Sequence, residues 1–160
     1  MTGASMTGEW KEGVFQFPIR IYYEDTDVGG MAYHGRYVSF FERVRTESIR
    51  GTAADVDFLF NIPENDGGPH TYVVSELNLK YHRQSKINDL LLGHSMVTKV
   101  RAAAVEVKQW ITLQDQLIAE AKVLVAIIGK DGRPRRWHPE ARKCWDEWCS
   151  EAKASGKYTE

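Results

Sequence analysis

The order in which hydrophobic periodicity changes along this chain leaves few folds open. From about residue 34 to 51, Tyr37, Val38, Phe41, Val44 and Ile49 recur at the three- and four-residue spacing of an amphipathic helix. At about 1.5 Å per residue such a helix is ~27 Å long, enough to cross several strands. Gly51 supplies its C-terminal stop. Residues 14–24 before it read as a strand, and four strand-like runs follow at 71–83, 90–102, 105–113 and 117–129. Asn88-Asp89 and Gln114-Asp115-Gln116 mark turns between them. Asp131-Gly132 is a further turn signal, leading to a short terminal strand at 133–137. Residues 52–70 hold one short helical turn (ADVDFLF) and then loop chemistry. Residues 139–153 read as a helix with Pro139 at its first position. This order predicts an α+β fold, the long helix packed on a curved antiparallel sheet of about five strands. The apolar side of the helix is expected to face that sheet, with the aromatics at 33, 37, 40 and 41 in the core.

A chain of 160 residues suits one domain, expected at 14–153 with the C-terminal helix included. Residues 1–13 are small, polar and glycine-bearing and read as a flexible leader; 154–160 read as a frayed tail. With 21 basic and 22 acidic residues, no general attraction to nucleic acid or an anionic membrane is expected. No run approaches the ~18 apolar residues of a spanning helix, and no apolar signal-peptide core opens the chain. The expected location is the cytoplasm. Cys144 and Cys149 then read as reduced thiols without a disulfide or metal role. His70, His82, His94 and His138 lack metal-ligand spacing and are expected at the surface.

Residues 22–45, YYEDTDVGGMAYHGRYVSFFERVR, concentrate the chemistry. Gly29 and Gly30 permit a tight turn or close approach of backbone to a ligand. The first turn of the following helix carries unpaired N–H groups and a partial positive charge. Such a terminus can hold a carbonyl oxygen that becomes negative during attack. Asp27, on the loop before it, can supply a nucleophile or a base. Taken alone, an aspartate there is more often a cap or turn residue, and a histidine at a helix start is more often solvated. The combination within one strand–loop–helix unit shifts the balance toward catalysis. Asp25 competes with Asp27, because residues two apart share a face of an extended segment.

Tyr22, Tyr23, Glu24, Asp25, Thr26, Asp27, Gly29, Gly30, Tyr33 and His34 together resemble the hallmark of the hotdog-fold acyl-CoA thioesterases. The match is to the 4-hydroxybenzoyl-CoA thioesterase-like group and its Tol–Pal-associated (YbgC) branch. It continues more loosely through Tyr72-Val-Val, residues 81–91 and Gly132-Arg-Pro-Arg-Arg, covering about residues 15–140. It is weakest across 52–69 and at Trp137-His138, and the C-terminal helix with Trp145 and Trp148 lies outside it. The resemblance implies that Asp27 is the catalytic carboxylate and that the helix N-terminus near His34 receives the carbonyl oxygen. The His34 side chain would add catalysis by positioning water or polarising the carbonyl. We assign Gly30, Tyr33 and Tyr37 to substrate contact and Asp25 to structural hydrogen bonding. Lys80, Arg83 and Lys86 are weighed as contacts for CoA phosphates against a plainer role as solvated charges.

The implied reaction is hydrolysis of an acyl-CoA or acyl-carrier-protein thioester, with no metal or redox cofactor. A homodimer paired through the strand at 71–83 is implied, with a tetramer as the next level of assembly. A hotdog dehydratase or isomerase would need different His–acid motifs, which the sequence lacks. A non-catalytic acyl-thioester-binding or protein-interaction module is the remaining alternative, against which the intact Asp27 loop argues. The acyl chain itself is not encoded in any motif.

Overall fold

The computed structural model describes residues 8–157. A hairpin of β1 (Glu9–Lys11) and β2 (Val14–Arg20) leads through a 3-10 turn at Tyr23–Asp25 to α1 (Arg36–Ile49) and the short α2 (Val56–Phe60). Four strands follow: β3 (His70–Tyr81), β4 (Leu90–Val100), β5 (Ala104–Leu113) and β6 (Gln116–Gly129), then α3 (Pro139–Ala154). All six strands join one antiparallel sheet in the order β1-β2-β4-β5-β6-β3.

The core forms where the helical and strand periods meet. Tyr37, Phe40, Phe41, Val44, Ser48 and Ile49 bury one stripe of α1. Beneath it lie Phe15, Phe17, Ile19, Leu91, Val105, Val107, Ile111 and alternate residues 119–127 of β6, at the two-residue period of strands. Gly93 on β4 sits directly under α1: a Cβ there would lie 2.4 Å from Val44 Cγ2. Only glycine lets the helix settle this close. Gln109 of β5 is fully buried, yet satisfied: its Nε2 donates to the Phe41 carbonyl at 2.9 Å, and its Oε1 accepts from Arg45 Nη1 at 2.9 Å. These two bonds tie the middle of α1 to the sheet.

Several expectations need correction. Residues 9–13, read from sequence as leader, form β1 and a two-residue turn in which Glu12 and Gly13 both have positive φ, the geometry that suits a tight hairpin. Trp10 anchors this hairpin by stacking on Trp148 with centroids 4.8 Å apart and by donating to the Ser48 carbonyl. The sheet therefore has six strands rather than about five; residues 1–7 lie outside the described residues. The strand expected at 133–137 does not form, because Pro134 has no N–H to give a ladder and makes only an isolated bridge to Ile128. Of the four aromatics expected in the core, Tyr33 is exposed.

α3 lies across the end of the sheet. At its start Trp137 Nε1 and Arg142 Nη1 donate to the Arg101 carbonyl; near its end the backbone of Ala152 lies so close to Gly13 that no side chain fits there. β3 is the outer strand, and most of its residues are exposed, including Leu77 at 37% and Tyr81 at 48%. Among the described residues, no helix is long and apolar enough to cross a membrane.

Candidate active site

The 3-10 turn separates the two competing aspartates. It rotates Asp25 inward, where it is 2% exposed, and both its oxygens are used. Oδ2 accepts from the Tyr22 N–H at 2.8 Å; Oδ1 pairs with Arg36, at 2.9 Å from Nε and 2.7 Å from Nη2. Asp25 thus pins the start of α1 to the end of the β2 segment. Asp27 instead lies exposed on the loop. Its Oδ1 accepts from the N–H of Gly29 at 2.9 Å and of Met31 at 3.3 Å, while Oδ2 has no partner among the described residues. One oxygen is fixed and the other is free.

The loop is a small closed unit. Asp27 N–H donates to the Met31 carbonyl, Gly30 N–H to the Asp27 carbonyl, and Tyr33 N–H to the Asp25 carbonyl. Gly30 takes φ +78°, which a side chain would strain. Ala32 N–H donates to the Ser85 carbonyl at 2.8 Å, docking the loop on the segment after β3. His34 and Gly35 precede the first turn of α1, and none of the described residues accepts a hydrogen bond from either backbone N–H. The His34 carbonyl accepts from Tyr81 Oη at 2.7 Å, which holds the helix start against the far end of β3.

A cleft of about 520 Å³ collects these groups; Asp27, His34 and Tyr37 line it with Tyr81, His82 and Arg83. Tyr37 Oη lies 2.6 Å from Ser85 Oγ, and burial pushes the phenol pKa up. Two of the residues assigned to substrate contact stand outside this lining. Gly30 shapes the turn, and the exposed Tyr33 ring packs beside His34 at 4.4 Å. Of the three weighed cations, Arg83 borders the cleft, Lys80 lines a separate depression with Lys108 and Lys122, and Lys86 borders neither. Tyr81 and His82 carry no local signal as site residues, because a sequence separation of 47 between His34 and Tyr81 hides the contact from any local motif.

Surface placement of the histidines is also corrected. His70 and His94 are buried, His94 stacking on Trp110 with centroids 4.8 Å apart. His138 is half-buried and its Nε2 meets Asp66 Oδ2 at 2.9 Å. His82 is exposed, with Nε2 3.4 Å from Glu120 Oε2. Both cysteines are free thiols. Among the described residues, no group of three His, Cys, Asp or Glu side chains could hold a metal ion.

Comparison with known proteins agrees with this arrangement. The family model described as thioesterase superfamily matches residues 29–123. The chain is 36% identical over 114 residues to the acyl-CoA thioesterase YbgC of Haemophilus influenzae, covering 71% of this chain and 80% of that one. It is 33% identical over 116 residues to the acyl-CoA thioester hydrolase YbgC of Escherichia coli, covering 72% and 82%. A crystal structure titled "Probable Thioesterase" from Bartonella henselae superposes with a TM-score of 0.72 at 31% identity, covering 78% of this chain and 98% of that one. The chain therefore belongs to the thioesterase superfamily, as a hotdog-fold relative of the YbgC thioesterases.

Proposed function

We propose that this chain hydrolyses acyl-CoA thioesters to a carboxylic acid and CoA, with Asp27 as nucleophile or general base. One observation carries the reading: Asp27 keeps Oδ2 free in a cleft that His34 also lines, at a helix start where the N–H groups of His34 and Gly35 are unengaged. As nucleophile, Oδ2 adds to the thioester carbonyl, the C–S bond breaks with the electron pair leaving on CoA sulfur, and water then hydrolyses the mixed anhydride. As base, Oδ2 takes a proton from water as its oxygen attacks the same carbon. In both routes the carbonyl oxygen gains negative charge, which a backbone N–H at the helix start can stabilise by ~3–4 kcal/mol. A thiolate leaves readily, so no strong general acid is required. The His34 side chain, beside those donors, can position the attacking water.

The names of the relatives support CoA as the carrier; acyl-carrier-protein thioesters share the same reacting bond. Catalysis needs no metal or redox cofactor in this scheme, and a cytoplasmic location fits an enzyme with two free thiols acting on CoA esters. A homodimer is part of the reading. β3 has open N–H and C=O groups along its outer edge and exposed Val74, Leu77 and Tyr81 on the α1 side, an invitation to a second copy. Dimers could pair again to a tetramer through the outer sheet face.

The test is thiol release from a panel of short-chain, long-chain and aromatic acyl-CoAs in the presence of a chelator. Release from at least one is expected, falling by orders of magnitude in Asp27→Asn. A wild-type protein inert on the whole panel would sink the hydrolase reading, and activity that returns only with added zinc would sink the metal-free scheme.

A further inference from the structure

A second cavity, of about 240 Å³, lies at the opposite end of α1 from Asp27. Its lining is mostly apolar, with Val74, Val97, Val107 and Val125 of the sheet and Trp145 of α3, while Glu42 and Arg45 of α1 bring one charge of each sign to it. Two polar groups in this lining lack the partner their chemistry demands. Arg45 reaches down to the sheet, where Nη1 donates to the fully buried Gln109, but among the described residues it forms no ion pair. Glu42, the nearest acidic influence, has its carboxylate engaged by the Thr46 hydroxyl at 2.8 Å. Burial accordingly pulls the guanidinium pKa below its ordinary value. Trp145 is 6% exposed, and its Nε1–H has no acceptor. Burial pushes the pKa of the neighbouring Tyr72 phenol up; its oxygen gives its proton to the Ala54 carbonyl at 2.6 Å and, though near the indole, does not meet hydrogen-bond geometry with Nε1.

Arg45 has only the exposed Glu42 carboxylate near it, out of ion-pair contact, and Trp145 holds a buried donor without an acceptor, so both leave the chamber short of partners. A carboxylate answers both, since it brings a negative charge and several acceptor positions. The chamber holds about eight water-sized volumes at ~30 Å³ each, room for a short acyl chain rather than for the whole CoA nucleotide. We propose that this chamber receives the acyl chain of the substrate, and that Arg45 and Trp145 select a chain that ends in a carboxylate. The inference rests on the hydrolase reading and on the two-fold dimer. α1 and β3 run in opposite directions along one groove: Tyr81 meets His34 at one end, and Tyr72 meets Ala54 at the other. A two-fold axis through the β3 edge exchanges those ends. It brings the chamber of one copy beside Asp27 of the next.

Adipoyl-CoA and hexanoyl-CoA form a matched pair, equal in chain length and differing in the distal carboxylate. The wild-type protein is expected to favour adipoyl-CoA in kcat/KM by about tenfold or more, as hydrogen bonds to a charged group allow. Arg45→Met should reverse that ratio and Trp145→Phe should reduce it. Because the readout is a ratio, a general loss of fold or turnover cancels. Equal rates, or a hexanoyl preference, overturn the chamber proposal while leaving the hydrolase reading intact. Binding separates the two readings further: Asp27→Asn, which turns substrate over too slowly to consume it during the measurement, should hold adipoyl-CoA more tightly than hexanoyl-CoA. Equal binding there overturns selection even if no acyl-CoA is hydrolysed by the wild type.

Discussion

Asp25 and Asp27 are two positions apart and meet different surroundings, so the same substitution should read out differently at each. Asp27→Asn keeps an oxygen that can accept from Gly29 and Met31, so the loop should hold and Tm should barely move. Turnover should fall by about 10²- to 10⁴-fold, because an amide is neither a base nor a nucleophile. Asp25→Asn removes the charge that faces Arg36 in a buried setting, at a cost of about 1–3 kcal/mol and several degrees of Tm. Measuring kcat and Tm on both variants checks the assignment; a stable Asp25→Asn with the larger kcat loss would exchange the two roles. The buried histidines act on stability instead. His70 and His94 have pKa values lowered chiefly by burial, so the folded state resists protonation at pH values where the unfolded chain accepts it. The unfolded state therefore binds more protons below its ordinary pKa of about 6.5, and stability should decline as pH falls through that value. Tm measured from pH 7 to 5 should drop, and His94→Gln should flatten the slope; an unchanged slope would remove His94 from the account.

At the level of elements, α1 is held at one height above the sheet by an absence. Gly93→Ala would force a methyl to within 2.4 Å of Val44 Cγ2, and backbone shift is the only relief in so tight a core. Overpacking of this kind costs about 1–3 kcal/mol, so Tm should fall by several degrees, with some loss of turnover if the segment leading into α1 holds the proposed oxyanion donors. A Tm equal to wild type would mean that the helix seat is softer than the packing implies. The elements themselves were legible wherever hydrophobic period and turn chemistry agreed. β5, β6, α1 and α3 were legible to within about two residues because each has one face buried and one freer, and β4 because turn residues bound a run whose middle is buried on both faces. β1 escaped because a three-residue strand has no period to show; only Trp10 in a polar stretch hinted at an anchor. The false strand at 133–137 came from reading Asp131-Gly132 as a hairpin without weighing Pro134. The site divided along the same line. Asp27, His34 and Tyr37 belong to one contiguous motif and all line the cleft, whereas Tyr81 and His82 reach it only because β3 returns past the start of α1.

The sheet ends in two edges, the three-residue β1 and the much longer β3, and assembly follows from how the longer one is built. β3 has 12 residues, about 40 Å of strand at ~3.3 Å per residue, paired to β6 on one side only. Long open edges of this kind normally carry lysine, proline or a covering loop on the exposed face. Here the face on the α1 side presents Val74, Leu77 and Tyr81, with Val38 of α1 also exposed. Two copies joined edge to edge would cover these side chains and continue the ladder across a two-fold axis. The free edge then becomes the middle of a longer sheet. Leu77→Lys tests this cleanly, because Leu77 already reaches solvent and the change should leave each chain folded. Two lysines brought together near the two-fold axis would repel and leave ammonium groups against apolar neighbours. The variant should therefore sediment as a monomer at concentrations where the wild type is a dimer, with an unchanged far-ultraviolet circular dichroism spectrum. If each groove is completed by the neighbouring chain, kcat/KM should fall with the dimer fraction, and wild-type specific activity should fall on dilution through the same transition. A Leu77→Lys monomer with full turnover would show that one chain holds a complete site, and the exchange of groove ends between copies would have to be abandoned.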